Sequence, residues 1–137
     1  MTRLGFAAVR RARVVCASVA LVAVHTACDD NTLEPPRECN GPLSLTVSSG
    51  TIPLFTWTAP CAVARLAVLE QRVLGDEPVV WDVRSEPARI VSPVRYGVRP
   101  SGATEAESAV ALRSGGTYQL RVYSDAQIVI GSALFTP

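Results

Sequence analysis

The residue types that most often carry chemistry in proteins are scarce in this chain of 137 residues. It contains one histidine, His25, four cysteines and no lysine, so all thirteen of its basic residues are arginines. Ser-His-Asp and Cys-His nucleophiles, zinc sites and Schiff bases all need residues that the chain lacks after its first 27 positions. No two cysteines have the C-x-x-C spacing of a metal or redox motif. The sequence therefore predicts a protein that is not an enzyme and holds no metal or cofactor.

Carboxylates are the one catalytic option that remains. A pair of them can hydrolyse a glycosidic bond by general acid and base catalysis. Five fall close together, namely Glu70, Asp76, Glu77, Asp82 and Glu86. They cluster in predicted turns, where carboxylates are normally solvated, and a domain of about 100 residues offers little room for a cleft. A small hydrolase is therefore kept only as a third alternative.

Charge is distributed unevenly along the chain. The formal net charge is +1, but residues 28–137 contain nine arginines against twelve acidic residues. Binding to nucleic acid requires a basic face that displaces counterions from the phosphates. This mildly acidic segment offers no such face, so nucleic acid is excluded as a partner.

The first 27 residues have the three zones of an export signal. A basic opening precedes an apolar run from Val14 to Val24, and a short exit ends at Ala27. A helix that crosses the membrane needs roughly 20 apolar residues, and this run is much shorter. Residues 1–27 are therefore predicted to be a cleaved signal peptide. The arginines of the opening are Arg3, Arg10, Arg11 and Arg13.

The exit of this signal resembles the lipobox of bacterial lipoproteins. In that family the cysteine after a small residue receives a diacylglycerol and becomes the first residue, which here points to Ala27 and Cys28. His25 departs from the pattern, which leaves ordinary signal-peptidase cleavage as the alternative, and Arg10-Arg11 also resembles a twin-arginine signal. The lipobox resemblance implies a protein anchored to a membrane of the bacterial cell envelope through Cys28.

Residues 28–38 are acidic, rich in proline and almost free of large apolar side chains. Such a segment cannot bury enough surface to fold. Pro35 and Pro36 favour an extended conformation, which at about 3.1 Å per residue would span about 30 Å. We interpret residues 28–38 as a tether between the lipid and a folded domain.

Residues 39–137 consist of short apolar stretches separated by glycine, proline, serine and aspartate, without helical periodicity. This pattern predicts an all-β domain of about seven strands, the proportion of an immunoglobulin-like antiparallel β-sandwich. Residues 99–111 show no alternation and are predicted to be a long loop, with a short helix as the alternative. The predicted strands are 43–48, 52–58, 63–73, 79–84, 90–96, 117–124 and 128–135.

Two motifs in this domain resemble the fibronectin type III family. Trp57 followed by Pro60 resembles the second strand of that family. Leu112, Gly115 and Tyr118 resemble its tyrosine corner, in which the hydroxyl binds a backbone group and the ring fills the core. The resemblance implies a β-sandwich with Trp57, Leu112 and Tyr118 in its core.

Cys39 and Cys61 precede the first predicted strand and follow the second, so an antiparallel pairing places them side by side. We predict a disulfide between them, which most members of the fibronectin type III family lack. A disulfide also leaves Cys28 unpaired in the segment after the signal, and lipidation explains that odd count.

One surface patch is a candidate for binding. Arginines alternate with apolar residues over a short segment next to a tryptophan: Trp81, Arg84, Arg89, Arg95, Tyr96 and Arg99. Arginine forks pair with carboxylates, and exposed aromatic rings stack on sugars. For Trp81 the alternation favours packing in the core, with an exposed platform for a sugar ring as the alternative, and for the arginines it favours a solvated face, with the binding patch as the alternative. The sequence thus favours an envelope-anchored binding or structural module with an acidic polysaccharide or an envelope protein as partner; the alternative is a carbohydrate-binding accessory protein that uses Trp81.

Overall fold

The computed structural model describes residues 34–137 apart from Leu74 and Ala126. The predicted signal peptide, the lipidation site at Cys28 and the first part of the tether lie outside the described residues. Over the described part, the chain forms ten β-strands and no helix. No helix in this part is therefore long and apolar enough to cross a membrane.

The strands pair antiparallel in three sheets. A three-stranded sheet has the order β1-β2-β7, a five-stranded sheet has the order β10-β9-β4-β5-β8, and β3 pairs with β6. The strands are β1 Leu45–Val47, β2 Leu54–Trp57, β3 Ala62–Val63, β4 Arg65–Glu70, β5 Val79–Arg84, β6 Ile90–Val91, β7 Val94–Arg95, β8 Thr104–Glu107, β9 Tyr118–Tyr123 and β10 Val129–Phe135.

One apolar core joins the inner faces of the two larger sheets. Alternate residues of β9 are fully buried, as expected for a strand with one face on a core. Phe55 of the three-stranded sheet lies 6.4 Å from Trp81 and 5.8 Å from Phe135 of the five-stranded sheet, measured between ring centroids. The described domain is therefore a sandwich-like all-β fold, which confirms the predicted fold class at that level.

Cys39 and Cys61 form a disulfide, as the sequence predicted, with 5.1 Å between their Cα atoms. Backbone hydrogen bonds next to the disulfide also join these two segments of the chain. Cys39 donates to the carbonyl of Ala62 (2.9 Å), and Ala62 donates to the carbonyl of Arg37 (2.7 Å). The last residues of the predicted tether are thus held against β3.

The prediction of a long loop over residues 99–111 is wrong in part. Thr104–Glu107 form β8, which pairs with β5 at the edge of the five-stranded sheet. All four residues are exposed, so no apolar alternation marks the strand in the sequence. The predicted strand 90–96 is also two short strands, because Pro93 has no N–H to donate between them.

Candidate functional site

The loop before β9 is held by Tyr118. Its buried ring packs beside Phe135, and its hydroxyl accepts a hydrogen bond from the backbone N–H of Arg113 (2.8 Å). Gly115 turns the loop with a φ of +78°, which side chains strongly disfavour. A Cβ at Gly116 would lie 2.9 Å from the tyrosine ring, so the loop passes directly over it. Tyr118 therefore sets the course of the chain just before β9.

A second tyrosine fixes the preceding part of the same loop. The Tyr96 hydroxyl donates to the carbonyl of Val110 (2.6 Å) and lies 3.2 Å from the carbonyl of Val80. The N–H of Val110 in turn donates to Val80 (3.0 Å). Burial and the proximity of Tyr118 raise the pKa of Tyr96 to about 12, although its bond to Val110 opposes the shift. Tyr96 thus remains a neutral donor that anchors residue 110.

These anchored segments line a groove of about 620 Å³, which we call the distal groove. Three branched side chains in its lining are more than half exposed: Ile52, Val98 and Val110 at 60%, 54% and 55%. Arg95 lies in the same lining and is exposed. The distal groove therefore combines an apolar floor with a cation.

The distal groove and the chain entry lie at opposite ends of β2. This strand begins at Leu54, next to the groove residues Thr51 and Ile52. It ends at Trp57, whose indole N–H donates to the carbonyl of Cys61 (3.1 Å). The disulfide therefore marks the entry end of the domain, and the groove opens at the other end.

A smaller groove of about 410 Å³ adjoins the first along Val110 and Ala111. The carboxylate of Glu70 in its lining is buried and accepts hydrogen bonds from Arg113 and from Arg72, the latter at 2.8 Å. These bonds, first from Arg113 and then from Arg72, hold the pKa of Glu70 below its usual value. Together the two grooves are lined by three arginines and one glutamate, namely Arg72, Arg95, Arg113 and Glu70. Arg72 and Arg113 were not predicted; the pairing of Arg113 with Glu70 spans 43 positions of sequence, whereas Arg72 lies only two positions from Glu70.

The two aromatic residues of the predicted surface patch lie in the core. Trp81 has no exposed surface, and its indole N–H donates to Glu105 (2.9 Å). Tyr96 is 5% exposed. The alternative in which Trp81 is an exposed platform for a sugar ring is therefore wrong, since the inner face of β5 directs this ring against Phe55 and Tyr96.

The four arginines of that predicted patch lie in different surroundings. Arg84 pairs with Asp82 (2.9 Å) on the outer face of the five-stranded sheet. Arg89 lines a groove at the entry end, and Arg95 lines the distal groove. Arg99 is exposed in the turn before β8. The patch is therefore not one continuous site, and Arg95 is its member at the distal groove.

A buried carboxylate organises the outer face of the five-stranded sheet. Asp82 is 3% exposed and accepts hydrogen bonds from Arg65 (2.7 Å) and Arg84 (2.9 Å). The guanidinium of Arg65 also lies 4.6 Å from the centre of the Tyr123 ring. Burial would raise the pKa of Asp82, but the bonds from Arg84 and Arg65 outweigh it and lower the pKa. Arg65 was not predicted, because its contact with Asp82 spans 17 positions and depends on the pairing of β4 with β5.

Two further carboxylates meet at the entry end. A hydrogen bond with Asp125 and the charge of that residue raise the pKa of Glu38. Glu38 also forms a bridge to Ala62, which joins it to β3. The end of the predicted tether therefore lies near the turn between β9 and β10, where the two exposed carboxylates repel each other when both are ionised.

Neither a metal-binding cluster among the described residues nor a similarity to a known protein indicates a function. Among the described residues, no three histidine, cysteine, aspartate or glutamate side chains group as they would around a metal ion. Comparisons with known protein families, curated proteins and solved structures found no match to this chain. A functional proposal therefore has to start from the surface of the described domain.

Proposed function

We propose that this chain is a bacterial envelope lipoprotein, lipidated at Cys28, that presents one fibronectin type III-like domain as a non-enzymatic binding module. The disulfide supports the anchor, because it pairs Cys39 with Cys61 and leaves Cys28 as the odd cysteine after the predicted signal peptide. Lipidation removes the reactive thiol that would otherwise remain in an oxidising compartment.

Strand order and the tyrosine corner support the fibronectin-like assignment. An immunoglobulin-like sandwich places its first, second and fifth strands in one sheet and its third, sixth and seventh in the other. The order β1-β2-β7 resembles the first sheet, and the order β10-β9-β4 resembles the second, with β5 and β8 added beside β4. The hydroxyl of Tyr118 binds the backbone five residues upstream, as in a tyrosine corner.

The observation that carries the binding function is the distal groove. Exposed branched residues line it at the end opposite the chain entry, where a tethered domain is free to meet a partner. Its floor suits the apolar side chains of an extended peptide, and the arginines around it favour carboxylates. We therefore assign it to an acidic, apolar segment of an envelope protein.

A protein segment fits this groove better than an acidic polysaccharide does. Sugar rings bind best on exposed aromatic faces, and both aromatic residues of the predicted patch are buried. Ile52, Val98 and Val110 instead offer aliphatic contacts, which favour leucine or valine side chains.

Peptide binding by the full chain in detergent micelles tests the proposal. The probe is a labelled decapeptide of alternating leucine and glutamate, compared with its leucine and lysine counterpart and with polygalacturonate. We expect the acidic peptide to bind more tightly than the basic one and to weaken with added salt. Arg95→Glu should weaken binding of the acidic peptide by at least tenfold, whereas Arg89→Glu, an exposed arginine at the entry end, should not.

Separate results would contradict the two parts of the proposal. Preference for polygalacturonate, or equal losses from Arg95→Glu and Arg89→Glu, would show that the distal groove is not the peptide site. The anchor is tested independently by Cys28→Ala, which should move the chain from the membrane fraction to the soluble fraction of the envelope without changing peptide affinity.

A further inference from the structure

Strand β10 lies at one edge of the five-stranded sheet and is seven residues long. Its first half is covered, because the N–H of Leu43 donates to the carbonyl of Ile130 (2.6 Å). No hydrogen bond from another described segment covers the outer edge of its second half, Ser132–Phe135. An uncovered edge of this kind is a template for another strand.

The direction of the backbone groups along this edge follows from the register. Gln71 donates to the carbonyl of Thr117, so the odd-numbered residues of β9 direct their polar groups toward β4. The even-numbered residues of β9 therefore bind β10, and they lie opposite Gly131, Ala133 and Phe135. The N–H and C=O groups of Ser132 and Leu134 consequently point away from the sheet, in the same direction as the carbonyl of Ile130.

The side chains of this edge are uncharged. No charged residue occurs between Gln127 and Pro137, and Leu134 is 66% exposed on the outer face. Natural edge strands usually carry charges that prevent pairing. The opposite edge of the same sheet has this protection, because β8 carries Glu105 and Glu107.

We infer that β10 pairs with β10 of a second copy of this chain, antiparallel and centred on Leu134. In this register the two Leu134 residues exchange backbone hydrogen bonds, and Ser132 exchanges them with Thr136 of the other copy. Ile130, which is already bound to Leu43, takes no part. The exposed leucine side chains then lie side by side on one face of a continuous sheet.

Charge and symmetry favour a second copy as the occupant. Self-pairing places each side chain near its own type, so a charged edge such as β8 would bring glutamates together at a cost. The uncharged β10 meets no such repulsion, and its outward groups at Ser132 and Leu134 are complementary to themselves under a twofold axis. This inference depends neither on the lipid anchor nor on the distal groove.

Disulfide trapping of the purified full chain in detergent micelles, under mild oxidation, tests the pairing independently of where the chain is located. Facing Cα atoms in a hydrogen-bonded antiparallel pair are about 5.5 Å apart, within the reach of a disulfide. Leu134→Cys should therefore give a reducible dimer on a gel. The matched control is Thr104→Cys, an exposed position on the edge strand β8, and it should give no more dimer than the parent chain.

A second change separates strand pairing from random collision. Ser132→Pro removes an N–H that points away from β9, so it should abolish the Leu134→Cys dimer while leaving the melting temperature within a few degrees of the parent. In addition, light scattering should give the parent chain the mass of two copies and the Leu134→Lys variant the mass of one copy. The inference is wrong if Leu134→Cys dimerises no more than Thr104→Cys, if a folded Ser132→Pro variant keeps the dimer, or if the parent chain scatters as one copy.

Discussion

Tyr118 shows how a single side chain connects the core to the candidate site. Its ring is buried against Phe135, and its hydroxyl holds the N–H of Arg113. The side chain of Arg113 then reaches back to Glu70 beside the smaller groove. Loss of the hydroxyl therefore affects both the stability of the domain and the shape of the loop that lines the grooves.

We expect Tyr118→Phe to lower the free energy of unfolding by about 1 kcal/mol or somewhat more. The reason is that the substitution leaves the Arg113 N–H without its acceptor while the ring remains in place. Urea unfolding followed by fluorescence measures the change. Tyr123→Phe, in a ring that is half-buried over Arg65, is the control and should change stability by less than about 0.5 kcal/mol. Equal effects of the two substitutions would argue against a tyrosine corner.

Single residues also show where reasoning from sequence stops. Apolar alternation placed Trp57 on a core-facing strand, and it is buried. The same alternation favoured a buried Trp81, but position alone could not exclude an exposed ring at a sheet edge. What decides the matter is β8, which pairs with β5 and supplies Glu105 as a partner for the indole N–H. That contact spans 24 positions and has no local signature.

At the scale of elements, strands with a core face were predictable and strands without one were not. The burial of β9 alternates, so its residue types alternate as well. β8 has four exposed residues and is held to β5 by backbone pairing and by the hydrogen bond from the Trp81 indole to Glu105, so its composition is that of a loop. The distal groove was missed for a related reason, because it combines three segments that are distant in sequence. Of its lining, only Arg95 and Tyr96 belonged to the predicted binding patch, and Leu112 was predicted as a core residue of the tyrosine corner.

The disulfide connects two elements that are otherwise held by few residues. It joins the segment before β1 to the start of β3, a strand of two residues. The double substitution Cys39→Ser, Cys61→Ser should lower the free energy of unfolding by about 3 kcal/mol, since it restores freedom to a loop of some 20 residues in the unfolded chain. Chemical denaturation of the parent and the double variant, both under non-reducing conditions, measures it. A loss below about 1 kcal/mol would mean that strand pairing alone fixes this end.

Across the whole molecule, the five-stranded sheet presents its two faces to different surroundings. The inner face is apolar, and the outer face carries ion pairs such as Arg65 with Asp82 and Arg121 with Glu77 (2.6 Å). If β10 pairs with a second copy, the outer faces become one surface and the entry ends point in opposite directions. If Cys28 is lipidated as proposed, the tether residues before Arg37 would span about 25 Å, and two such tethers would reach the same membrane when the strands lie parallel to it.

The ion pairs of the described domain predict how its stability depends on pH. Hydrogen bonds to arginines lower the pKa of Asp82 against the effect of burial, and hydrogen bonds also lower the pKa values of Glu70 and Glu77. At pH values between the folded and unfolded pKa, the unfolded chain binds more protons, so stability rises with pH. These three carboxylates therefore give their full stabilisation above about pH 5, and they lose it as the pH falls through their pKa values in the folded chain. Glu38, whose pKa is raised, acts in the opposite direction.

Asp82→Asn tests the most deeply buried carboxylate of this group. At pH 7 the substitution should cost about 1 to 3 kcal/mol, because the charge-assisted hydrogen bonds from Arg65 and Arg84 lose their anionic acceptor. The difference between the parent and the variant should shrink as the pH falls from about 5 to 2, since the parent then loses the same charge. Thermal unfolding across that range measures it, with Asp76→Asn in an exposed turn as the control. A difference that stays constant with pH would show that Asp82 acts through packing rather than through its charge.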